Sequence, residues 1–462
     1  MEIMKKNTHK MAAFLIIIFI LMPAVQITAD TAGDSETAQK ILNEISLLME
    51  KREFDAALKL FDSLNETISQ TPDLQLLKAS IFNSSGQPRD ARAIASSILA
   101  SQPNNIEALF VLAASASIEG KEKEHRTLLE RVLKIDPKNL KAMSDLGYIA
   151  LTSKSLRVAA NQFEKALTID GNYLDALVGR AIVYKYVSEP KKAEQLLNKA
   201  INLSPLWATP LHERARLYKG AGYLEDALRD FDEAKKLDPY NYWISTDRAV
   251  TLVELSRKEE ALTELNNAVN IDSKGFLAYV YRAGINDEIG NYKQAEEDYL
   301  LLTKIKPDYY FAAEGLGIIR MRNGQYMQAR DAFLLAYRQA PKEFRYALLA
   351  SINWMKAGKP DDPKQFLAQV LRTVPRDSPD WYLLRLYHDL KGDSDAAAKA
   401  DQEKNLNEKS RMLFYLACFY YVRGNIVLAN NYFLQVKDMN RMNIIEWKIN
   451  EIMLENLGIK DY

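Results

Sequence analysis

Cysteine is nearly absent from this chain of 462 residues, which contains a single one, Cys418. One thiol cannot form a disulfide within the chain, so no covalent cross-link of this kind holds the fold together. Cys418 lies in an apolar stretch, where we expect a small buried side chain. The lack of a disulfide framework fits an exported bacterial protein better than one that passes through a eukaryotic secretory route.

Histidine is also scarce, and the usual signatures of catalysis are missing. The four histidines are too far apart in the sequence for any two to show the spacing of metal ligands. No serine lies in a nucleophile elbow, and no glycine-rich loop follows a strand pattern. We therefore expect that the protein is not an enzyme and that it has no metal or cofactor site.

The chain has no excess of either charge, with 61 basic and 61 acidic residues. The charges are interspersed along the sequence, and no basic stripe is long enough to follow a phosphate backbone. Nucleic acid is therefore not an expected partner.

What the sequence has instead is a period of 34 residues, best seen in residues 208–241. In this unit Leu211, Ala215 and Tyr218 share one helical face, and Ala227 and Phe231 share the face of a second helix. Steps of 34 residues from Ala227 meet further alanines at Ala57, Ala91, Ala159, Ala193, Ala261, Ala295, Ala329 and Ala397. Such a period predicts paired helices that bury their apolar faces against neighbouring copies.

The pattern resembles the tetratricopeptide repeat, in which small residues occupy the eighth and twentieth positions. The resemblance implies an all-α fold, a right-handed α-solenoid of about twelve helix–turn–helix repeats of 34 residues over residues 38–441. The family's shared residues are packing residues. In function, the resemblance therefore implies no more than the binding of another protein or a peptide segment.

The two ends of the chain differ from the repeats. Lysines precede an apolar run at residues 11–22, which predicts a secretory signal peptide at residues 1–29 with cleavage after Ala29. The alternative is an uncleaved membrane anchor at residues 11–29. We predict a linker at residues 30–37, and a capping helix and tail at residues 442–462.

Residues 358–408 are the least regular part of the repeat array. Pro363 and Asp401 stand where the pattern has a small residue and an aromatic residue. Two interpretations remain open, a bend or loosely packed segment and a functional hinge.

The resemblance also predicts which residues face a partner. In the family the second, fifth, ninth, twelfth and thirteenth positions of each repeat usually face a concave groove. Aromatic, histidine and arginine side chains at these positions are our partner-binding candidates: Tyr148, Tyr186, His212, Arg216, Trp243, Phe311, Tyr382 and Phe414. The lysine and asparagine with which some members grip a terminal carboxylate are missing from the fifth and ninth positions, so an extended or helical segment is the expected ligand.

The sequence thus favours a non-enzymatic scaffold of the bacterial cell envelope, periplasmic or extracellular, that binds a segment of another protein. The alternative is a membrane-anchored assembly factor for surface polysaccharide or lipid export. The oligomeric state is left open.

Overall fold

A computed structural model describes residues 32–359 and 363–459. These residues form consecutive α-helices joined by short turns, with no β-strand among them. The predicted all-α solenoid of helix–turn–helix repeats is therefore confirmed. The predicted signal peptide lies outside the described residues. The chain divides into two compact units, which meet in sequence between Ser256 and Arg257.

The first unit consists of helix pairs followed by a single helix. Its helices are α1 (Ala32–Glu50), α2 (Phe54–Leu60), the short α3 (Glu66–Ser69), α4 (Pro72–Ser84), α5 (Pro88–Ser101), α6 (Ile106–Ile118), α7 (Glu122–Ile135), α8 (Leu140–Thr152), α9 (Leu156–Ile169), α10 (Leu174–Tyr186), α11 (Pro190–Leu203), α12 (Ala208–Gly220), α13 (Leu224–Leu237) and α14 (Tyr242–Glu254).

The second unit begins and ends with a single helix. Its helices are α15 (Lys258–Ile271), α16 (Phe276–Glu288), α17 (Tyr292–Ile305), α18 (Tyr310–Arg322), α19 (Tyr326–Gln339), α20 (Arg345–Lys356), α21 (Lys364–Leu371), α22 (Pro379–Asp389), α23 (Asp393–Gln402), α24 (Leu406–Val422), α25 (Ile426–Met439) and α26 (Ile445–Asn456).

The small residues of the repeat lie where helices approach each other most closely. Gly147 on α8 and Gly179 on α10 flank the buried ring of Phe163 on α9. A Cβ atom on Gly179 would lie 2.2 Å from Cε1 of that ring, which no real contact tolerates. The repeat therefore needs a small residue here because a larger one would overpack the crossing.

The turn inside each repeat adopts the left-handed conformation at one fixed position. Glycine fills it in most repeats, for example at Gly222 with φ +83°. Lys154, Ser188 and Ser256 occupy the same position with φ between 58° and 61°. Packing of the helix pair thus imposes the turn, even where the residue has a Cβ atom that disfavours it.

An arginine on the first helix of a pair ties three helices together in the second unit. Arg282 on α16 donates from Nε and Nη2 to both carboxylate oxygens of Asp298 on α17, at 2.8 and 2.7 Å. Its Nη1 donates to Asn266 Oδ1 on α15 at 2.8 Å. A bidentate pair of this kind fixes orientation as well as distance. It holds α16 in place for the surface described below.

The irregular segment has shortened helices. α21 spans 8 residues, α22 spans 11 and α23 spans 10, against 13 or 14 in the regular pairs. Residues 360–362 lie outside the described part, so the hinge interpretation stays a prediction. At the ends of the chain, α1 begins at Ala32, within the predicted linker, and α26 lies within residues 442–462. The linker prediction is thus wrong from Ala32 onward, because the first helix extends further toward the N-terminus than the periodicity indicated.

Candidate functional site

Two surfaces contain predicted partner-binding residues: one brings His212 and Arg216 together, and the other contains Phe311. We call the first the charged face; it lies in the first unit and carries Lys185, His212, Glu213, Arg216 and Asp247 on α10, α12 and α14. We call the second the aromatic pocket; it lies in the second unit and is described further below.

On the charged face, Glu213 joins two cations. Lys185 Nζ donates to Glu213 Oε2 at 2.6 Å, and Arg216 Nη1 donates to Glu213 Oε1 at 2.8 Å. Burial by itself raises the pKa of the Glu213 carboxyl, but the charges of Arg216 and Lys185 outweigh it and the pKa is lowered. Burial lowers the pKa of Lys185.

The second carboxylate of this face is Asp247, which is 4% exposed. Its Oδ2 lies 2.9 Å from His212 Nε2 and 3.4 Å from Arg216 Nε. Burial raises the pKa of Asp247, and Arg216 with the His212 hydrogen bond lowers it by more. The His212 ring also packs against Phe231, with 5.7 Å between ring centroids. Each ionised group named here therefore has an opposite charge from its own chain.

The aromatic pocket is a cavity with a volume of ≈ 600 Å³. It is formed by α16, α17, α18 and α20 together with the first turn of α26 and the chain that leads into it. Its lining is mainly aromatic and aliphatic, with five charged side chains: Val280, Gly284, Asp287, Tyr299, Leu302, Tyr309, Tyr310, Phe311, Glu314, Gly315, Ile318, Glu343, Arg345, Tyr346, Met442, Asn443, Ile444, Ile445 and Lys448.

Aromatic rings follow one another along one side of this pocket. The centroid of Phe311 lies 4.2 Å from that of Tyr310 and 5.5 Å from that of Tyr309. Tyr310 in turn contacts Tyr346 at 6.0 Å, and Tyr309 contacts Phe276 at 5.0 Å. Phe311 is 48% exposed, although neighbouring rings hold it in place. A rigid, accessible aromatic ring is the type of side chain that anchors partners.

Two glycines of the pocket differ in what surrounds them. A Cβ atom on Gly315 would meet the Tyr299 ring at 2.6 Å, whereas a Cβ atom on Gly284 would meet nothing within 4 Å. Packing thus explains the first glycine and leaves the second unexplained. A glycine inside a helix costs about 1 kcal/mol relative to alanine. At Gly284 no neighbouring side chain requires a glycine, and the pocket wall has open space there.

The other predicted residues lie apart from the pocket, and two are buried. Phe414 is fully buried against Tyr415 and Phe433, so its assignment as a partner-binding residue is wrong. Trp243 is 9% exposed and packs edge-on against Tyr242, so it too is a core residue and that assignment is wrong. In both cases the helix lies so close to its neighbours that the predicted groove position is covered.

The remaining candidates are partly accessible. Tyr148 is half-buried, and its hydroxyl donates to the Asp175 carbonyl at 3.0 Å. Tyr382 is half-buried edge-on against Trp381. Tyr186 is exposed and interacts electrostatically with Arg216 of the charged face. Their contacts within the chain do not bring these three residues to a common site.

Sequence reasoning missed several residues of the pocket. Gly284, Asp287 and Glu314 occupy the ninth, twelfth and fifth positions of their repeats, where the resemblance expects groove residues. They were not among the candidates because these were limited to aromatic and basic side chains. A glycine in the middle of an apolar helix was the signal available for Gly284. Lys448 could not be found this way, because it lies 161 residues from its partner Asp287.

Neither a metal centre nor a membrane span is present in the described ranges. No cluster of three or more histidine, cysteine or acidic side chains there has the geometry of a metal site. Among the same residues no helix combines the length and the apolar character needed to cross a bilayer.

Comparisons with known proteins give partial structural likenesses. No protein-family model matches the chain, and no curated protein is significantly similar to it in sequence. The solved APC/C hetero-tetramer Cut9-Hcn1 is 16% identical over 66% of this chain, with a TM-score of 0.49, and this chain covers 59% of that one. PilF of Pseudomonas aeruginosa is 20% identical over 45% of this chain and 94% of its own, with a TM-score of 0.41.

A tetratricopeptide repeat protein from Parabacteroides merdae is 18% identical, and the match covers 54% of this chain and 98% of that one, with a TM-score of 0.41. Because these TM-scores are below 0.5, the fold is assigned from the chain's own helices and not from the likeness. Its 34-residue period, its helix pairs and its small residues at helix crossings give the chain the architecture that the resemblance to tetratricopeptide repeats predicts, an α-solenoid of helix–turn–helix repeats.

Proposed function

We propose that this protein is a non-enzymatic scaffold of the bacterial cell envelope that binds a segment of another protein in the aromatic pocket. The observation that carries the proposal is the contrast within that pocket. Phe311 is held by its neighbours and half-exposed, and it shares the pocket with the open wall at Gly284. Concave, mostly apolar surfaces with a few polar groups are the usual form of a binding site.

The charged face is a weaker candidate for the same role. Its carboxylates are already paired, so a charged partner would have to replace contacts within the chain before it gained its own. In the aromatic pocket, a partner can contact Phe311 or the wall at Gly284 without replacing an ion pair of the chain.

Site-specific photocrosslinking in intact cells tests the proposal. A photoreactive phenylalanine analogue is placed at Phe311 and, as a matched control, at Tyr223, an exposed aromatic residue of the first unit. We expect a discrete adduct from position 311 and none from position 223. The adduct should disappear when Gly284→Trp fills the pocket in the same chain. Equal adducts at both positions, or an adduct that persists with Gly284→Trp, would point to another surface.

The envelope part of the proposal rests on the sequence of residues 1–29. N-terminal sequencing of the exported protein distinguishes the two states of this segment. A mature chain that begins at Asp30 supports a cleaved signal peptide, whereas an intact Met1 in a membrane fraction favours the anchored assembly factor. Recovery of the protein in the cytoplasm would contradict both.

A further inference from the structure

The charges of the aromatic pocket do not all have partners. Lys448 Nζ lies 2.6 Å from Asp287 Oδ2, and Arg345 Nη2 lies 2.8 Å from Glu343 Oε2. These two ion pairs account for four of the five charged side chains in the lining. The fifth, Glu314, has no ion pair with any of the described residues.

Glu314 is held in a defined position although it forms no ion pair with a described residue. The Tyr346 hydroxyl donates to its Oε2 at 2.5 Å, and its other oxygen accepts no hydrogen bond from the described residues. Burial raises the pKa of Glu314, and the Tyr346 hydrogen bond and the Arg345 charge do not offset this effect. A carboxylate in such a place favours the approach of an additional positive charge.

A second carboxyl group, Glu446, lies behind the pocket; burial raises its pKa, and the charges of Arg345 and Arg411 act in the opposite direction. Glu446 on α26 is fully buried, and it is one of the charges that raise the pKa of Glu314. Its Oε1 accepts a hydrogen bond from the Tyr415 hydroxyl at 3.1 Å, while its Oε2 has no partner among the described residues. This end of the pocket therefore holds two carboxyl groups, Glu314 and Glu446, that form no ion pair with a described residue.

The ring beside Glu314 suits a cation as well. Phe311 and Glu314 are three residues apart on α18, so they lie on the same side of that helix. The face of an aromatic ring attracts lysine and arginine. None of the described lysines or arginines lies over the Phe311 ring, whereas Lys306 lies 5.3 Å from the centroid of the neighbouring Phe276.

The chain itself supplies a model for such a contact. Lys448 lies on α26 and pairs with Asp287, which is 161 residues earlier in the sequence. One acidic group of the pocket thus already receives a lysine from another segment. Glu314 offers an equivalent carboxylate, which accepts a hydrogen bond from Tyr346 but forms no ion pair with a described lysine or arginine.

We infer that the aromatic pocket takes a cationic side chain, lysine or arginine, from an apolar segment of the partner protein, with Glu314 as its counter-ion and Phe311 as its stacking surface. The inference rests on the proposed function and specifies the partner's chemistry. An acidic segment or a terminal carboxylate is excluded, because Arg345 and Lys448 are already paired and Glu314 would repel it.

Selection from a phage-displayed library of random dodecapeptides tests the inference, because it does not require the natural partner to be identified first. The full mature chain serves as bait, and the Gly284→Trp variant serves as counter-selection. We expect enriched peptides to contain a lysine or arginine flanked by apolar residues. A synthetic copy of the best peptide is then compared with a copy in which glutamine replaces the cation.

The wild-type chain should bind the cationic peptide about tenfold more tightly than its glutamine copy. Glu314→Gln should bring the two affinities close together, because glutamine keeps an oxygen for the Tyr346 hydroxyl but has no charge. Glu107→Gln on the exposed start of α6 is the matched control and should leave the preference unchanged. Circular dichroism verifies that each variant is folded.

Each outcome bears on a different statement. If no peptide is enriched over the Gly284→Trp variant, the proposed function fails and the inference fails with it. If peptides are enriched but the glutamine copy binds equally well, the pocket binds segments and the cation inference is overturned. A preference for the cation that survives Glu314→Gln overturns the role assigned to Glu314.

Discussion

The charged face and the aromatic pocket occupy equivalent first helices of the repeat, yet they treat their charges differently. On the charged face, Glu213 pairs with Lys185 of a neighbouring helix and with Arg216 of its own helix. Asp247 pairs with Arg216 of a neighbouring helix. In the aromatic pocket, Glu314 has a hydroxyl donor but no ion pair with a described residue. The carboxylates of the charged face are therefore paired within the chain. In the aromatic pocket, the Glu314 carboxylate and the exposed Phe311 ring are available to a partner.

The comparison shows that the residue type at a groove position does not identify a binding site in a solenoid. Arginine and histidine on the charged face looked like anchors for a partner, but they hold α12 to α14. The pocket differs because Glu314 has no ion pair with a described residue and a Cβ atom on Gly284 would meet no neighbour within 4 Å. Substitutions on the two surfaces should therefore act on different properties, stability for the first and binding for the second.

Substitution of two phenylalanines, one buried and one accessible, should give the largest difference in the free energy of unfolding. Phe414→Ala should destabilise the second unit by about 3–5 kcal/mol, because it leaves a cavity in the core. Phe311→Ala should cost about 1 kcal/mol, because half of that side chain is already exposed. Hydrogen exchange of the amides of α24 and α18 measures both. Similar losses for the two variants would mean that Phe311 is a core residue.

Glu213→Gln tests whether the charged face is a structural network. We expect a loss of about 3 kcal/mol at pH 7, because the change removes the partner of two partly buried cations. The folded pKa of Glu213 is lowered below its ordinary value of 4.5, so its contribution is fully present above pH 4.5 and disappears as the pH falls through the folded value.

Urea unfolding of Glu213→Gln and wild type at pH 7 and at pH 3 measures this dependence. The difference between the two proteins should be largest at pH 7 and smaller at pH 3. Glu107→Gln, on an exposed helix start, should differ from wild type by less than about 0.5 kcal/mol at both pH values. An unchanged difference across this range would contradict the network.

Gly315→Ala tests the closed part of the pocket. The new methyl group would meet the Tyr299 ring, so we expect a net loss of stability of about 1–2 kcal/mol from overpacking. Thermal unfolding followed by circular dichroism measures the change. A stabilised variant would show that the Tyr299 ring moves aside freely.

Gly284→Ala tests the open part and has the smallest and opposite effect. We expect a gain of about 0.5–1 kcal/mol, because alanine favours the helix and its Cβ atom meets no neighbour. The same thermal measurement checks it beside Gly315→Ala. A loss of stability here would mean that the wall at Gly284 is not open.

Much of the fold could be predicted from the sequence, because a small residue at each helix crossing leaves a strict period. Gly147 and Gly179 carry that signal, and the structure explains it through the Phe163 ring between them. The site could be predicted only in part. Phe311 was identified, but Phe414 was assigned to the same surface because periodicity gives a residue's position in the repeat and not how closely the next helices cover it.

The pocket also depends on contacts that no local pattern contains. Lys448 reaches Asp287 across 161 residues, and the chain that leads into α26 completes the wall around Phe311. Neither a period of 34 residues nor a residue type at one position encodes such an approach. Glu314 has no ion pair because Arg345 pairs with Glu343 and Lys448 pairs with Asp287. These pairings are seen only in the three-dimensional structure.

Hydrogen–deuterium exchange of the mature chain with and without a selected cationic peptide tests most directly whether the aromatic pocket is the binding surface. We expect the peptide to slow exchange in α16, α18 and α20 and to leave α10, α12 and α14 unchanged. Slowed exchange confined to α10, α12 and α14 would place binding on the charged face and contradict the role given to the aromatic pocket.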